Sequence, residues 1–98
     1  MSLAPAPLLD FSFWSFLTTP LDELLDKLDA RVTEVVTDDE DFLGGIIRRD
    51  WGLQVAVPAR DSAMAKEITV RGVLAYWFGV DTTDWPMGLR FVELDDAG

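Results

Sequence analysis

The clearest hydrophobic pattern in the chain lies in residues 19–36, where apolar side chains recur at helical spacing. The apolar positions are Leu21, Leu24, Leu25, Leu28, Val32, Val35 and Val36. Their intervals place them on one face of a helix, and Thr19 and Pro20 suit its N-cap and first position. The opposite face carries Asp22, Asp26, Asp29 and Glu34. The spacing predicts one long amphipathic helix that ends by about Val36, because the acids that follow oppose the helix dipole.

A shorter apolar segment, residues 8–17, precedes this helix and is rich in aromatic side chains. Its aromatic residues are Phe11, Phe13, Trp14 and Phe16. Helical spacing places Phe13 and Phe16 on one stripe, whereas the alternation expected of a strand fails at Trp14. We therefore predict a short helix in this segment.

The second half of the chain changes to the alternating pattern that is typical of β-strands. Residues 51–57 alternate apolar with small or polar positions, and residues 68–78 place a second apolar set on one face. The two sets are Trp51, Leu53, Val55 and Val57, and Ile68, Val70, Leu74, Tyr76 and Phe78. Residues 88–94 are predicted to pair antiparallel with residues 68–78, because their connection is too short for a crossover helix. Residues 44–49 are a candidate for a further strand, and residues 61–67 for one helical turn.

These elements predict an α+β fold class. We expect one or two N-terminal helices packed on one face of a three- to four-stranded antiparallel sheet, with the long helix against residues 68–78. Trp51, Tyr76 and Trp77 are expected in the core. Residues 1–6 are predicted to form a flexible arm, because their side chains offer little to pack, and residues 7–98 a single domain.

The charge balance narrows the classes of partner. The chain has 98 residues, with 18 acidic and 8 basic side chains and a formal net charge of −10. Binding to nucleic acid or to an anionic membrane depends on Lys and Arg, so neither is expected as a direct partner. The chain shows neither the basic start of a signal peptide nor an apolar run that could span a bilayer. We therefore expect a cytoplasmic protein.

The chain contains no His and no Cys, which removes the commonest general base and the thiolate nucleophile. None of its serines lies in a G-x-S-x-G motif. We therefore predict that the protein is not an enzyme and needs no cofactor. Oxygen ligands for a hard cation are present in residues 38–41 and at Asp81 and Asp84, but their spacing is not that of an EF-hand. Solvated acidic loops are the simpler interpretation, and no metal site is predicted.

Acidic side chains form the first set of candidate binding residues. The set comprises Asp22, Asp26, Asp29, Asp38, Asp39, Glu40 and Asp41. A small acidic chain without His or Cys is typical of inhibitor, immunity and anti-defence proteins, which occlude a basic surface of a partner protein. Electrostatic steering would speed such an association. Our first hypothesis is therefore a non-catalytic protein-binding module.

Two other sets of residues support alternative functions. The aromatic candidates for an interface are Phe11, Phe13, Trp14 and Trp85. They would make the protein a structural subunit of a homo-oligomer or larger particle, unless Trp14 wedges between helix and sheet and Trp85 covers the end of the sheet. Arg48 and Arg49 would instead suit a sensor of a small anionic ligand such as a nucleotide. Outward arginines that face acids are the simpler interpretation of that pair.

Overall fold

The computed structural model describes residues 11–94 as a sheet with helices packed on one face. The elements are α1 (Phe13–Thr18), α2 (Leu21–Lys27), β1 (Ala30–Val35), β2 (Gly45–Arg49), β3 (Gly52–Pro58), α3 (Ala63–Trp77) and β4 (Val92–Leu94). The four strands lie in the order β1–β3–β2–β4, which confirms the predicted α+β class. The arm predicted at residues 1–6 lies outside the described residues, and the assignment of residues 7–98 to one domain stays a prediction.

The sheet is mixed rather than antiparallel throughout. Strands β2 and β3 form an antiparallel hairpin, whereas β1 pairs parallel with β3 and β4 pairs parallel with β2. The strands predicted in residues 44–49 and 51–57 are confirmed as β2 and β3. Strands β1 and β4 form the two edges of the described sheet.

The predicted long helix is wrong beyond Lys27, where α2 ends. Asp29 has a φ of 52°, a left-handed conformation that Asp tolerates better than most residues. The chain turns there and enters β1, whose valines and threonine are β-branched and favour a strand. The helical spacing in residues 19–36 is therefore divided between a two-turn helix and a strand.

Residues 68–78, predicted as a strand, belong instead to α3 and its C-cap. The helix begins after Ser62, whose Oγ accepts a hydrogen bond from the Ala65 N–H at 3.1 Å, so the helical turn predicted in residues 61–67 is confirmed as its start. Residues 70–75 are all buried, and a helix without a polar face loses its helical period in the sequence. The strand in residues 88–94 is limited to β4, and its partner is β2. No helix in residues 11–94 has both the length and the apolar character needed to cross a membrane.

One hydrophobic core lies between the helices and one face of the sheet. Its buried members are Phe16, Leu24, Leu28, Ala30, Ile46, Leu53, Val55, Val57, Val70, Val73, Leu74, Ala75 and Trp85. The aromatic residues predicted for the core divide: Trp77 packs against it, whereas Trp51 and Tyr76 are exposed. Trp51 lies in the β2–β3 turn, and Tyr76 lies outside the core, with its ring centre 5.0 Å from that of Phe91.

Candidate functional site

Strand β1 has one edge paired with β3 and one edge that no other strand covers in the described sheet. Leu53 N–H donates to the Asp29 carbonyl at 2.9 Å, and Ala59 N–H donates to the Val35 carbonyl at 2.8 Å. Successive residues of a strand point their backbone groups to alternate sides, so the odd-numbered residues of β1 bond β3. The N–H and C=O groups of Val32 and Glu34 therefore point outward, away from the sheet.

The side chains of β1 leave this outer edge accessible. Val32 is 37% exposed, and the register with β3 runs without a bulge from Ala30 to Val35. The two charged side chains of the strand are engaged elsewhere. The Arg31 guanidinium lies 4.3 Å from the centre of the Trp51 ring, and Glu34 forms an ion pair with Lys66 of α3 at 3.0 Å. This edge was not predicted, because residues 30–35 were assigned to a helix. Their β-branched valines and threonine were a sequence signal for a strand.

The predicted acidic binding residues do not share one helix face, because β1 separates them into two groups. The first group contains the predicted Asp22, Asp26 and Asp29, which precede β1 in the chain; together with Glu23, an exposed residue of α2 that was not predicted, they are called the α2 acids. The second group lies in the acidic loop, residues 37–42, beyond the end of β1, and contains Asp38, Asp39, Glu40 and Asp41. All of these acids are exposed. A strand of six residues spans about 20 Å, so the length of β1 separates the two groups.

The acidic loop is held by Arg60 through main-chain carbonyls and by one carboxylate of its own. The Arg60 guanidinium donates to the carbonyls of Asp39 at 3.3 Å, Glu40 at 3.3 Å and Phe42 at 2.5 Å. Within the loop, an Asp39 carboxylate oxygen accepts the Asp41 N–H at 2.9 Å. The ion pairs within residues 11–94 join Glu34 to Lys66 and Glu67 to Arg71, so they neutralise neither acidic group.

Two of the α2 acids line a small depression at the start of β1. Asp26 and Asp29 contribute to it together with Leu25, Arg31 and Trp51, and its volume is about 170 Å³. The stacking of Arg31 on the Trp51 ring shows that this corner accommodates a cationic side chain on an aromatic face. The carboxylates beside it remain available to further cations.

The aromatic candidates divide between surface and core. Trp14 is 69% exposed and Phe11 is 48% exposed; the Phe11 ring also lies 5.5 Å from that of Phe78. Phe13 is half-buried, with its ring 5.2 Å from that of Trp85. Trp85 is 3% exposed and donates its indole N–H to the Ile68 carbonyl at 2.9 Å. Trp85 is therefore a core residue, and only Phe11 and Trp14 remain accessible to a neighbour.

Arg48 and Arg49 do not converge on one ligand. Neighbours on a strand point to opposite faces, and the Arg49 Nε–H is engaged with the Gln54 side-chain oxygen at 2.9 Å on the outer face. Both residues line an open depression of about 430 Å³, which Trp77 and Asp50 also line. Because Asp50 is among its lining residues, the depression carries charges of both signs and is a weak candidate for an anion site.

Arg71 lies in residues 68–78, which were predicted as a strand, and belongs to α3. It is 5% exposed. Its Nη1 donates to the carbonyls of Phe16 at 3.0 Å and Thr19 at 2.6 Å, and its Nε donates to Glu67 at 3.0 Å. The Arg71 side chain therefore fastens the α1–α2 junction to α3, which is a structural role.

In the loop after α3, the Asp81 carboxylate forms hydrogen bonds with Thr83, two residues further along the chain. The Thr83 hydroxyl and then the Thr83 backbone N–H donate to the Asp81 carboxylate, and they hold the pKa of Asp81 below its usual value. Among residues 11–94, no three acidic side chains lie together in a group suited to a metal ion. The structure thus gives this loop a local turn rather than an assembled site.

Comparisons with known proteins add no further constraint on this geometry. No protein-family model, no curated protein and no solved structure matches the chain. The functional conclusion therefore depends on the open edge of β1, on the two acidic groups beside it and on the exposed aromatic residues.

Proposed function

We propose that the protein is a non-catalytic binding module whose acidic surface occupies a basic surface of a partner protein. The observation that carries this proposal is the exposure of two acidic groups, the α2 acids and the acidic loop, without ion pairs to the described cations. Exposed carboxylates of this kind attract a cationic partner over roughly a Debye length of about 8 Å at physiological ionic strength. The net charge of −10 adds to the attraction at longer range.

The proposal is tested by matched neutralisation of carboxylates. Asp38→Asn with Asp41→Asn removes two charges from the acidic loop, and Asp84→Asn with Glu93→Gln removes two exposed charges that belong to neither acidic group. Immobilised wild-type and variant proteins are used to capture basic proteins from cell extract, which are then identified by mass. The loop variant is expected to lose a captured partner that the control variant retains, and high salt is expected to release it. Equal retention by both variants contradicts the proposal.

Exposure of Trp14 and Phe11 favours a second candidate function, self-assembly into a homo-oligomer or larger particle. An indole that is 69% exposed is a typical anchor at an interface. Apolar contacts are not weakened by salt, and screening reduces the repulsion between subunits of like charge. Sedimentation of the pure protein at low and high salt is the measurement. A salt-stable oligomer that dissociates on Trp14→Ala would establish assembly, and a monomer at every salt and concentration would exclude it.

A further inference from the structure

We infer that β1 binds an extended basic segment of the partner as an additional strand of the sheet, an inference that rests on the proposed function. The outward N–H and C=O groups of Val32 and Glu34 are not needed for pairing with β3. An incoming strand would bond to these groups, as in recognition by β-strand addition. Main-chain hydrogen bonds would then supply affinity, and the flanking acids would select a basic sequence.

The two edges of the sheet differ in their suitability for this role. Strand β4 has three residues, whereas β1 has six in unbroken register with β3. Natural edge strands are protected by prolines, bulges, short length or charges that point into the edge. Strand β1 has none of the first three, and its Arg31 and Glu34 side chains are drawn to Trp51 and Lys66. Strand β1 therefore keeps outward N–H and C=O groups that an added strand could bond.

The positions of the acids define the chemistry of the occupant. The α2 acids lie at the start of β1 and the acidic loop lies beyond its end. An extended segment that covers about six residues would present both of its ends to carboxylates, because it spans the same length of about 20 Å. Lys or Arg at both ends, and β-branched residues between them, would match this arrangement.

A second copy of this chain fits the same edge poorly. Antiparallel pairing of two β1 strands would bring the α2 acids of one copy beside the acidic loop of the other. Parallel pairing would bring each acidic group beside its own equivalent. Like charges meet in both arrangements, and each copy carries a net charge of −10. The charge distribution therefore favours a basic partner over self-pairing.

The first test uses synthetic peptides as probes. One peptide has a central run of alternating valine and threonine with paired lysines at each end. Its matched control has the same sequence and charge, but N-methyl groups on every backbone amide of the central run, so neither of its edges can donate to the ladder. Calorimetry at low salt is expected to show the control binding more weakly by about tenfold or more. Hydrogen exchange is expected to show the Val32 and Glu34 amides protected by the first peptide only.

The second test changes the protein. Val32→Pro removes an outward N–H without removing a hydrogen bond to β3, a substitution that edge strands tolerate. Val32→Ala is its matched control, because it loses the side chain and keeps the N–H. Val32→Pro is expected to weaken binding of the unmethylated peptide by about tenfold, and Val32→Ala is expected to bind it more tightly than Val32→Pro does. If Val32→Pro fails to fold, judged by circular dichroism, the two peptides on wild-type protein still decide.

The outcomes separate the inference from the proposed function. Equal, salt-sensitive binding of both peptides would overturn strand addition and leave binding by charge intact. Absence of binding by both peptides at low salt would contradict both. A dimer without peptide that Val32→Pro abolishes would assign the edge to self-pairing and overturn the inference.

Discussion

Gly52 lies so close to the carbonyl oxygen of Asp29 that a Cβ at Gly52 would overlap that oxygen. The contact joins the start of β3 to the turn between α2 and β1. Gly52 also has a φ of 147°, which L side chains rarely adopt, and the next residue, Leu53, donates its N–H to the same oxygen at 2.9 Å. The parallel pairing of β1 with β3 therefore begins at a site that admits only glycine.

Gly52→Ala is accordingly expected to destabilise the fold. The overlap costs about 1–3 kcal/mol, and the positive φ adds about 1 kcal/mol. Gly88→Ala is the control, because Gly88 has a φ of 69° with open space around it and should cost only about 1 kcal/mol. Urea unfolding measures both free energies. Equal losses would show that the approach of Asp29 is unimportant.

Leu28→Ala should reduce the free energy of unfolding by about 2–5 kcal/mol, because it opens a cavity in the core. Leu28 is buried at the end of α2, whereas Asp26 in the same helix is exposed. Asp26→Ala should therefore change stability by no more than about 0.5 kcal/mol. Urea melts of the two variants give the comparison, and a similar effect at both positions would contradict the packing of α2.

Arg71→Met should destabilise the protein by about 1.5–3 kcal/mol, because two carbonyls at the α1–α2 junction lose a charged donor. Glu67 is the more exposed partner of the same arginine. Glu67→Gln should therefore cost less than about 1 kcal/mol. Thermal unfolding of both variants tests the ranking. A larger loss for Glu67→Gln would mean that the ion pair, rather than the carbonyls, holds Arg71.

The carboxylate of Asp81 should titrate at lower pH than an ordinary aspartate, because Thr83 donates two hydrogen bonds to its charged form. A pKa that is lower in the folded state favours folding above the unfolded pKa, and this contribution disappears as the pH falls through the folded pKa. Thr83→Ala removes the hydroxyl and keeps the backbone N–H, so it should raise the pKa of Asp81 part of the way to its usual value. Carbon-detected NMR titration of Asp81 measures the change, and an unchanged midpoint would contradict the role of the hydroxyl.

The sequence pattern predicted elements correctly where one face of an element is covered and the other is not. Strand β3 alternates because Leu53, Val55 and Val57 enter the core while Gln54 faces the outer side, where it donates to Thr33. The leucine spacing predicted α2, but its start one residue too early, because the N-cap is Pro20 rather than Thr19. In both places the local pattern agrees with the tertiary environment.

The hydrophobic pattern gave wrong predictions where an element is covered on all sides, because no polar face then marks its period. The middle of α3 is buried on all sides, so its valines and leucine resemble a central strand. The prediction of where α2 ends failed for another reason. The chain reverses at Asp29, and this reversal depends on a backbone contact with Gly52, which is distant in the sequence. The open edge of β1 could not be predicted without that reversal. The acidic residues were identified from the sequence, but their separation by a strand was not.

Arg60 recognises main-chain oxygens of the acidic loop, and any amino acid supplies such oxygens. Of the acidic side chains in that loop, only the Asp39 carboxylate forms a hydrogen bond within it, so the contacts with Arg60 do not depend on the side chains of Asp38, Glu40 and Asp41. Mutation of Asp38, Glu40 or Asp41 can therefore change the charge of the loop and keep these main-chain contacts. Under the proposed function, this arrangement would let specificity for a partner change at positions where substitutions leave stability nearly unaffected.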